Sequence, residues 1–233
     1  MKQSKFDKPA SRKSLHFLPF CALALLLSAC AKMGQPDGGW YDETPPQVIA
    51  ESPADGATGV NSKKATLYFS EYIKIDNPTE NVVVSPPQKE APEIKNEGKK
   101  ISVKLIDDLK PNTTYTIDFS NAISDNNEGN PLGNYTYTFS TGDHIDTMEV
   151  AGCVVEADNL EPVKGILVGL YDNLADSAFT TLPMLRVART DDTGHFDIKG
   201  VRNGNYHVFA LQDADNNYMF NAKSEMIAFD KTV

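Results

Sequence analysis

Leu109-Lys110-Pro111-Asn112-Thr113-Thr114-Tyr115, running on to Thr116-Ile117-Asp118-Phe119, is the stretch that decides the fold. Pro111-Asn112 breaks any helix and favours a turn, and behind it Tyr115, Ile117 and Phe119 alternate with polar residues. A period of two places those three on one side of an extended chain, so this is a strand with one face on a core. Working outward, the same alternation returns in Ala65–Phe69 (Leu67, Phe69), in Lys100–Leu105 (Ile101, Val103, Leu105) and in Tyr135, Tyr137 and Phe139. Between these runs lie turn formers such as Pro53-Ala54-Asp55-Gly56 and Glu128-Gly129-Asn130-Pro131. Short strands with no helical period predict an antiparallel sandwich.

The spacing of Leu109, Pro111 and Tyr115 resembles the tyrosine corner of Greek-key sandwiches, in which the Tyr hydroxyl bonds back to the backbone. Further matching stretches are Pro46-Gln47-Val48, Ser52-Pro53-Ala54-Asp55-Gly56-Ala57, Phe69-Ser70-Glu71-Tyr72-Ile73 and the closing Tyr135–Gly142. With these, residues 46–142 resemble a bacterial Ig-like domain of the S-layer-protein type. That resemblance implies a structural or spacer role and no catalytic residues. Asp125-Asn126-Asn127-Glu128-Gly129-Asn130 is rich in oxygen ligands, but it lacks the spacing and closing Glu of an EF-hand and reads as a turn.

After a short joint, Asp143–Asp146, alternation resumes at Met148–Val155, then in Pro162–Tyr171, Arg189–Ile198 and Gly200–Ala210. A Gly-x-Val opening, a Thr-Asp turn leading to Gly194-His195-Phe196, and Gly204-Asn205-Tyr206-His207-Val208-Phe209-Ala210 resemble the carboxypeptidase-regulatory-like, transthyretin-like sandwich. Residues 147–233 are assigned to it. The catalytic zinc domain that gives that family its name is absent from the resemblance. Phe196, Ile198, Tyr206, Val208 and Ala210 are expected to face the core. His195, His207 and Phe209 are expected outward, with Asp197 across from His207 on a neighbouring strand. Cys153 is expected as a small buried apolar residue. Asp213 and Asp215, in Asp213-Ala214-Asp215-Asn216-Asn217, are the candidate Ca²⁺ ligands; no metal and no cofactor are assigned. Ile227–Val233 reads as a strand in progress, so the second module is expected to be truncated.

The fold class expected is therefore all-β: two consecutive antiparallel β-sandwich domains, Ig-like then transthyretin-like, after a signal peptide and flexible tether. Residues 1–29 open with Lys2, Lys5, Lys8, Arg12 and Lys13, followed by an apolar run from Phe17 to Leu27 that is too short to span a bilayer. Leu27-Ser28-Ala29-Cys30 resembles the lipobox of bacterial lipoproteins, which implies cleavage before Cys30 and acylation of its thiol. Residues 30–45, rich in Gly, Pro and Asp, form the tether and resemble those of Bacteroidetes lipoproteins. No acidic run follows Cys30, which points to the periplasmic face of the outer membrane.

The net charge of the whole chain is −10, and it becomes more acidic once the basic leader is removed. Such a surface repels phosphate backbones, so nucleic acid is not an expected partner. The partners expected are the lipid bilayer, through acylated Cys30, and an envelope protein or glycan. Neither a Gly-x-Ser-x-Gly elbow nor a His-Glu-x-x-His pair is present, and no enzyme activity is expected. The function read from the sequence is a membrane-anchored envelope lipoprotein with structural, spacer or adhesion modules. The alternatives are a carbohydrate-binding protein, using Phe209 and Tyr218 as an aromatic platform, and the non-catalytic part of a larger envelope hydrolase.

Overall fold

The computed structural model describes residues 39–229. The leader, Cys30 and most of the tether lie outside them. Among the described residues there are fifteen strands and two single-turn helices. In the first module, β1 (Val48–Ser52), β2 (Lys64–Phe69), β5 (Glu93–Asn96) and β6 (Lys100–Lys104) form an antiparallel sheet in the order β1-β2-β6-β5. Facing it is a sheet in the order β4-β7-β9, from β4 (Val83–Ser85), β7 (Thr114–Ser120) and β9 (Tyr135–Ser140). A two-stranded pair of β3 (Ile73–Ile75) and β8 (Ile123–Asp125) closes one end, and α1 (Pro78–Asn81) leads into β4.

The alternating residues meet as the sequence requires. Leu67, Phe69, Ile101, Val103, Tyr115, Ile117, Phe119, Tyr137 and Phe139 are buried in one core. Tyr115 stacks on Phe139 with ring centroids 5.2 Å apart. The Tyr115 hydroxyl accepts a hydrogen bond from Lys110 N–H at 2.8 Å, the bond expected of a tyrosine corner. It satisfies a backbone donor where the chain crosses between sheets, and burial raises the Tyr115 pKa.

Asp125 explains the turn that follows. Its Oδ1 accepts from the backbone N–H groups of Asn127, Glu128 and Gly129 at 2.8, 2.7 and 3.1 Å, while Oδ2 accepts from Asn130 N–H. Burial alone would raise the Asp125 pKa, but these donors outweigh it and lower it. The carboxylate is spent on holding its own loop, which is the turn reading and not the calcium one.

In the second module β10 (Met148–Cys153) pairs with β13 (His195–Val201). A four-stranded antiparallel sheet runs β12-β11-β14-β15, from β11 (Leu167–Tyr171), β12 (Arg186–Arg189), β14 (His207–Leu211) and β15 (Ile227–Phe229). Phe196, Ile198 and Val201 face Val168, Leu170, Ala188 and Ala210 across the sandwich, and Tyr206 and Val208 pack beside them. These positions are as expected.

Two expectations fail here. His195 and His207 do not lie on paired strands, because β13 and β14 belong to different sheets. His207 stands opposite Tyr171, and Asp197 stands opposite Ala151 and pairs with Lys199 at 3.4 Å. The turn from Gly200 to Gly204 carries the chain between layers and does not make a hairpin. Cys153 is exposed. On β10 the inward positions are Val150 and Gly152, where the Phe196 ring lies 2.8 Å from where a Cβ on Gly152 would stand. Cys153 therefore takes the outer parity.

Candidate functional site

The four-stranded sheet of the second module is covered on both faces. Leu167, Tyr171, Val187, Phe209 and Leu211 point away from the sandwich interior into a further core with Ala178 and Met184. Phe179, from α2 (Ala178–Thr181), and Phe220 and Tyr218, from the segment before β15, partly close it. Phe179 and Phe209 lie 4.9 Å apart between centroids. Phe209, expected as an exposed sugar platform, is only 8% exposed, and Tyr218 packs into the same cluster. Phe209 takes the outward parity, but a second layer of chain lies over that side. The platform for glycan binding at these two residues does not exist.

Val83 also belongs to this second cluster, although it sits on β4 of the first module. Its neighbours Val82 and Val84 belong to the first core. With a period of two, one short strand thus feeds both modules, and every residue of β4 is buried. Ser85, on the same side as Val83, continues the junction: its Oγ accepts from Val187 N–H and its carbonyl from Arg186 Nη1–H, both at 3.2 Å.

The polar face of β7 completes the weld. Thr114 Oγ1 accepts from Asp146 N–H at 2.9 Å and lies 3.1 Å from Asp146 Oδ2, to which its own hydroxyl donates. Arg202 Nη2–H donates to Asn112 O at 3.0 Å, and its Nε lies 3.5 Å from Asp146 Oδ1. His144, in the joint, reaches the same carboxylate at 3.6 Å. Gly200, at φ +69°, lies against the methyls of Thr114 and Thr116, which would be 3.2 and 3.1 Å from a Cβ there. Only a residue with no side chain lets β13 approach so closely in that backbone conformation.

This junction gathers polar groups from both modules. It lines a cleft of about 300 Å³ with Lys110, Pro111, Thr113, Asp146, Arg186 and Arg202 among its walls. Arg186 is only 5% exposed, and desolvation pulls its pKa down to about 10. None of the junction residues was singled out by the sequence as functional.

The calcium candidates come together with a residue the sequence reading missed. Ligand oxygens of Asp213, Asp215 and Glu225 all lie within 4.8 Å of one another. Asp213 accepts from Asn217 and Tyr218 N–H groups, Asp215 from the Asn217 and Asn221 amides. Glu225 accepts from Ala214, Asn221 and Ala222 N–H groups. Desolvation raises the Asp213 pKa; the Asn221 amide lowers that of Asp215, and the backbone donors of Asn221 and Ala222 lower that of Glu225. The cluster folds the segment that carries Tyr218 and Phe220 over the sheet, which is a structural task for all three carboxylates.

Cys30, the lipidation candidate, lies outside the described residues. The bacterial Ig-like domain family model matches residues 42–141, the first module. No curated protein matches the sequence. Among solved structures, the N-terminal part of the bacterial S-layer protein SbsC is similar at 14% identity, over 80% of this chain and 44% of that one, with a TM-score of 0.29. An L,D-transpeptidase from Mycobacterium smegmatis is similar at 14% identity over 70% of this chain and 79% of its own, TM-score 0.28. The T6 backbone pilin of Streptococcus pyogenes is similar at 11% identity over 80% and 51%, TM-score 0.24. This chain spans less than half the length of the S-layer fragment.

Proposed function

We propose that this chain is an envelope lipoprotein, anchored through acylated Cys30, whose two sandwich modules form a rigid, non-catalytic spacer or adhesion element. The second module is taken as transthyretin-like, on the order of its motifs. The observation that carries the spacer reading is the shared strand β4, with Val83 in one core and Val84 in the other. Modules meant to swing independently are joined by exposed linkers with few crossing contacts. Here the joint is roofed by Arg186, Arg202 and Asp146, and Arg186 Nη1–H to Ser85 O and Arg202 Nη2–H to Asn112 O cross the boundary.

Anchoring rests on the basic start, the short apolar run and Leu27-Ser28-Ala29-Cys30. One acyl chain gives marginal membrane binding, and two or more hold a protein stably. An outer-membrane, periplasm-facing location is proposed on the same leader and tether.

Two measurements test the proposal. Cells given labelled palmitate are expected to label the full chain, which partitions into the detergent phase, whereas Cys30→Ser loses both properties. Label retained by Cys30→Ser would overturn the anchor. NMR relaxation on the chain from Asp42 onward is expected to give one tumbling time for both modules. Two different times would overturn the spacer.

A further inference from the structure

We propose that the cleft at the module junction binds a small hydroxylated monocarboxylate, a sugar acid being the type, with Arg186 as its anion clamp. The inference goes beyond a spacer role and stands on the unused donors of this buried arginine. Arg186 Nη1–H is given to Ser85 O. Among the described residues, the guanidinium has no other hydrogen bond, and no carboxylate lies within ion-pair distance of it.

The spare donors are not sealed in. The enclosed side-chain nitrogens and oxygens without a partner among the described residues are Arg189 Nε and Asp197 Oδ1. Arg186 Nε and Nη2 are not among those enclosed atoms, and Arg186 is one of the residues that line the cleft. These two nitrogens form one edge of the guanidinium, presenting two parallel N–H groups. That edge matches the two oxygens of a carboxylate in a bidentate pair. Asp146 acts on Arg186 only at a distance, with no carboxylate in direct contact, and an anion seated there would offset the cost of burying the cation.

Charge in the cleft sets the size of the anion. Lys110, Arg186 and Arg202 bring three positive charges, and Asp146 and Asp172 two negative ones. Asp146 is already engaged by Thr114 and Arg202. The remainder is one positive charge, which suits a monoanion and disfavours a phosphate dianion. The volume of about 300 Å³ is at the lower end for a small-molecule site. Thr113 and Asn112 supply polar groups for hydroxyls beside the apolar rings of Pro86 and Pro111.

The test uses the full chain in detergent with glucuronate, glucose and inorganic phosphate as probes. Glucuronate is expected to shift the Arg186 Nε–H resonance and to bind saturably, glucose to do neither, and phosphate to bind more weakly than glucuronate. Arg186→Lys keeps the charge but removes the fork, and is expected to weaken glucuronate binding by roughly tenfold. No shift of the Arg186 resonance with glucuronate would overturn the proposal. So would equal affinity for phosphate, or unchanged binding in Arg186→Lys. The resonance is read on the unsubstituted chain, so a variant that fails to fold leaves the test intact.

Discussion

Val83 and Val84 are adjacent on one strand, yet the structure assigns them to different cores, and truncating each in turn should hit different modules. Val83 is buried, so Val83→Ala removes about two methylene equivalents, worth ~1.6 kcal/mol of transfer free energy, and the cavity brings the loss to ~2 kcal/mol. That loss should fall on the cluster of Leu167, Tyr171, Phe209 and Leu211. Val84→Ala deletes the same atoms from the core of Leu67, Ile101 and Phe119. Amide hydrogen exchange read by mass spectrometry separates the two, because it reports opening element by element. A loss of ~2 kcal/mol accelerates exchange through the affected opening by roughly 30-fold. Val83→Ala is expected to speed exchange in β11 and β14 while β2 and β6 keep most of their protection, and Val84→Ala to do the reverse. Wild-type exchange in β11 and β14 of Val83→Ala would refute the claim that β4 is shared.

Other expectations follow from single contacts. Tyr115→Phe leaves the Lys110 N–H without its acceptor in a half-buried corner and should cost roughly 1 kcal/mol, seen as a fall of several degrees in the thermal midpoint. Phe209→Ala should destabilise the second module by about 3–5 kcal/mol in denaturant unfolding, since the ring is a core group. Asp125 has a lowered pKa in the folded chain, so its contribution is full above the unfolded value near 3.9 and is lost as pH falls through the lower folded one. Thermal melts should therefore show Asp125→Asn with a flatter loss of stability than wild type on acidification below about pH 4. Five of the six carboxylate oxygens of Asp213, Asp215 and Glu225 already accept protein N–H groups, so EDTA should leave the melting temperature unchanged. A fall restored by added Ca²⁺ would make that loop a metal site.

What was legible in the sequence was whatever a two-residue period encodes. Leu67, Ile101, Tyr115, Ile117 and Phe196 alternate with polar neighbours, and each faces a core as read. The tyrosine corner was legible because Pro111 and Tyr115 fix a backbone path that leaves one N–H to satisfy. Burial on both faces was harder to see. In Leu167-Val168-Gly169-Leu170-Tyr171 there is no alternation, and the unbroken apolar run was the available sign that both sides would be covered. Val82-Val83-Val84 carries the same sign, and its residues divide between two cores. For Phe209, parity says only which way the side chain points and not what lies over it. Residue type favours burial for Cys153, but its register opposite His195 puts it outside. The junction was the least legible part. Thr114, Thr116 and Ser85 look like a solvated strand face, and nothing local to them shows that a second module rests there.

The chemistry of those residues makes the junction more than a place where two modules touch. Threonine gives a methyl for Gly200 to lie against and a hydroxyl for Asp146, so one side chain serves an apolar contact and a polar one. Arg186 is held by Ser85 of the first module while its strand belongs to the second, and Arg202 of the second is held by Asn112 of the first. Any anion taken up on the free edge of Arg186 would thus meet groups from both modules at once. It would bind only while they stay docked, and by linkage it would stabilise the docked state by the free energy of its own binding. Stiffness of the spacer and occupancy of the cleft are then two readings of one equilibrium.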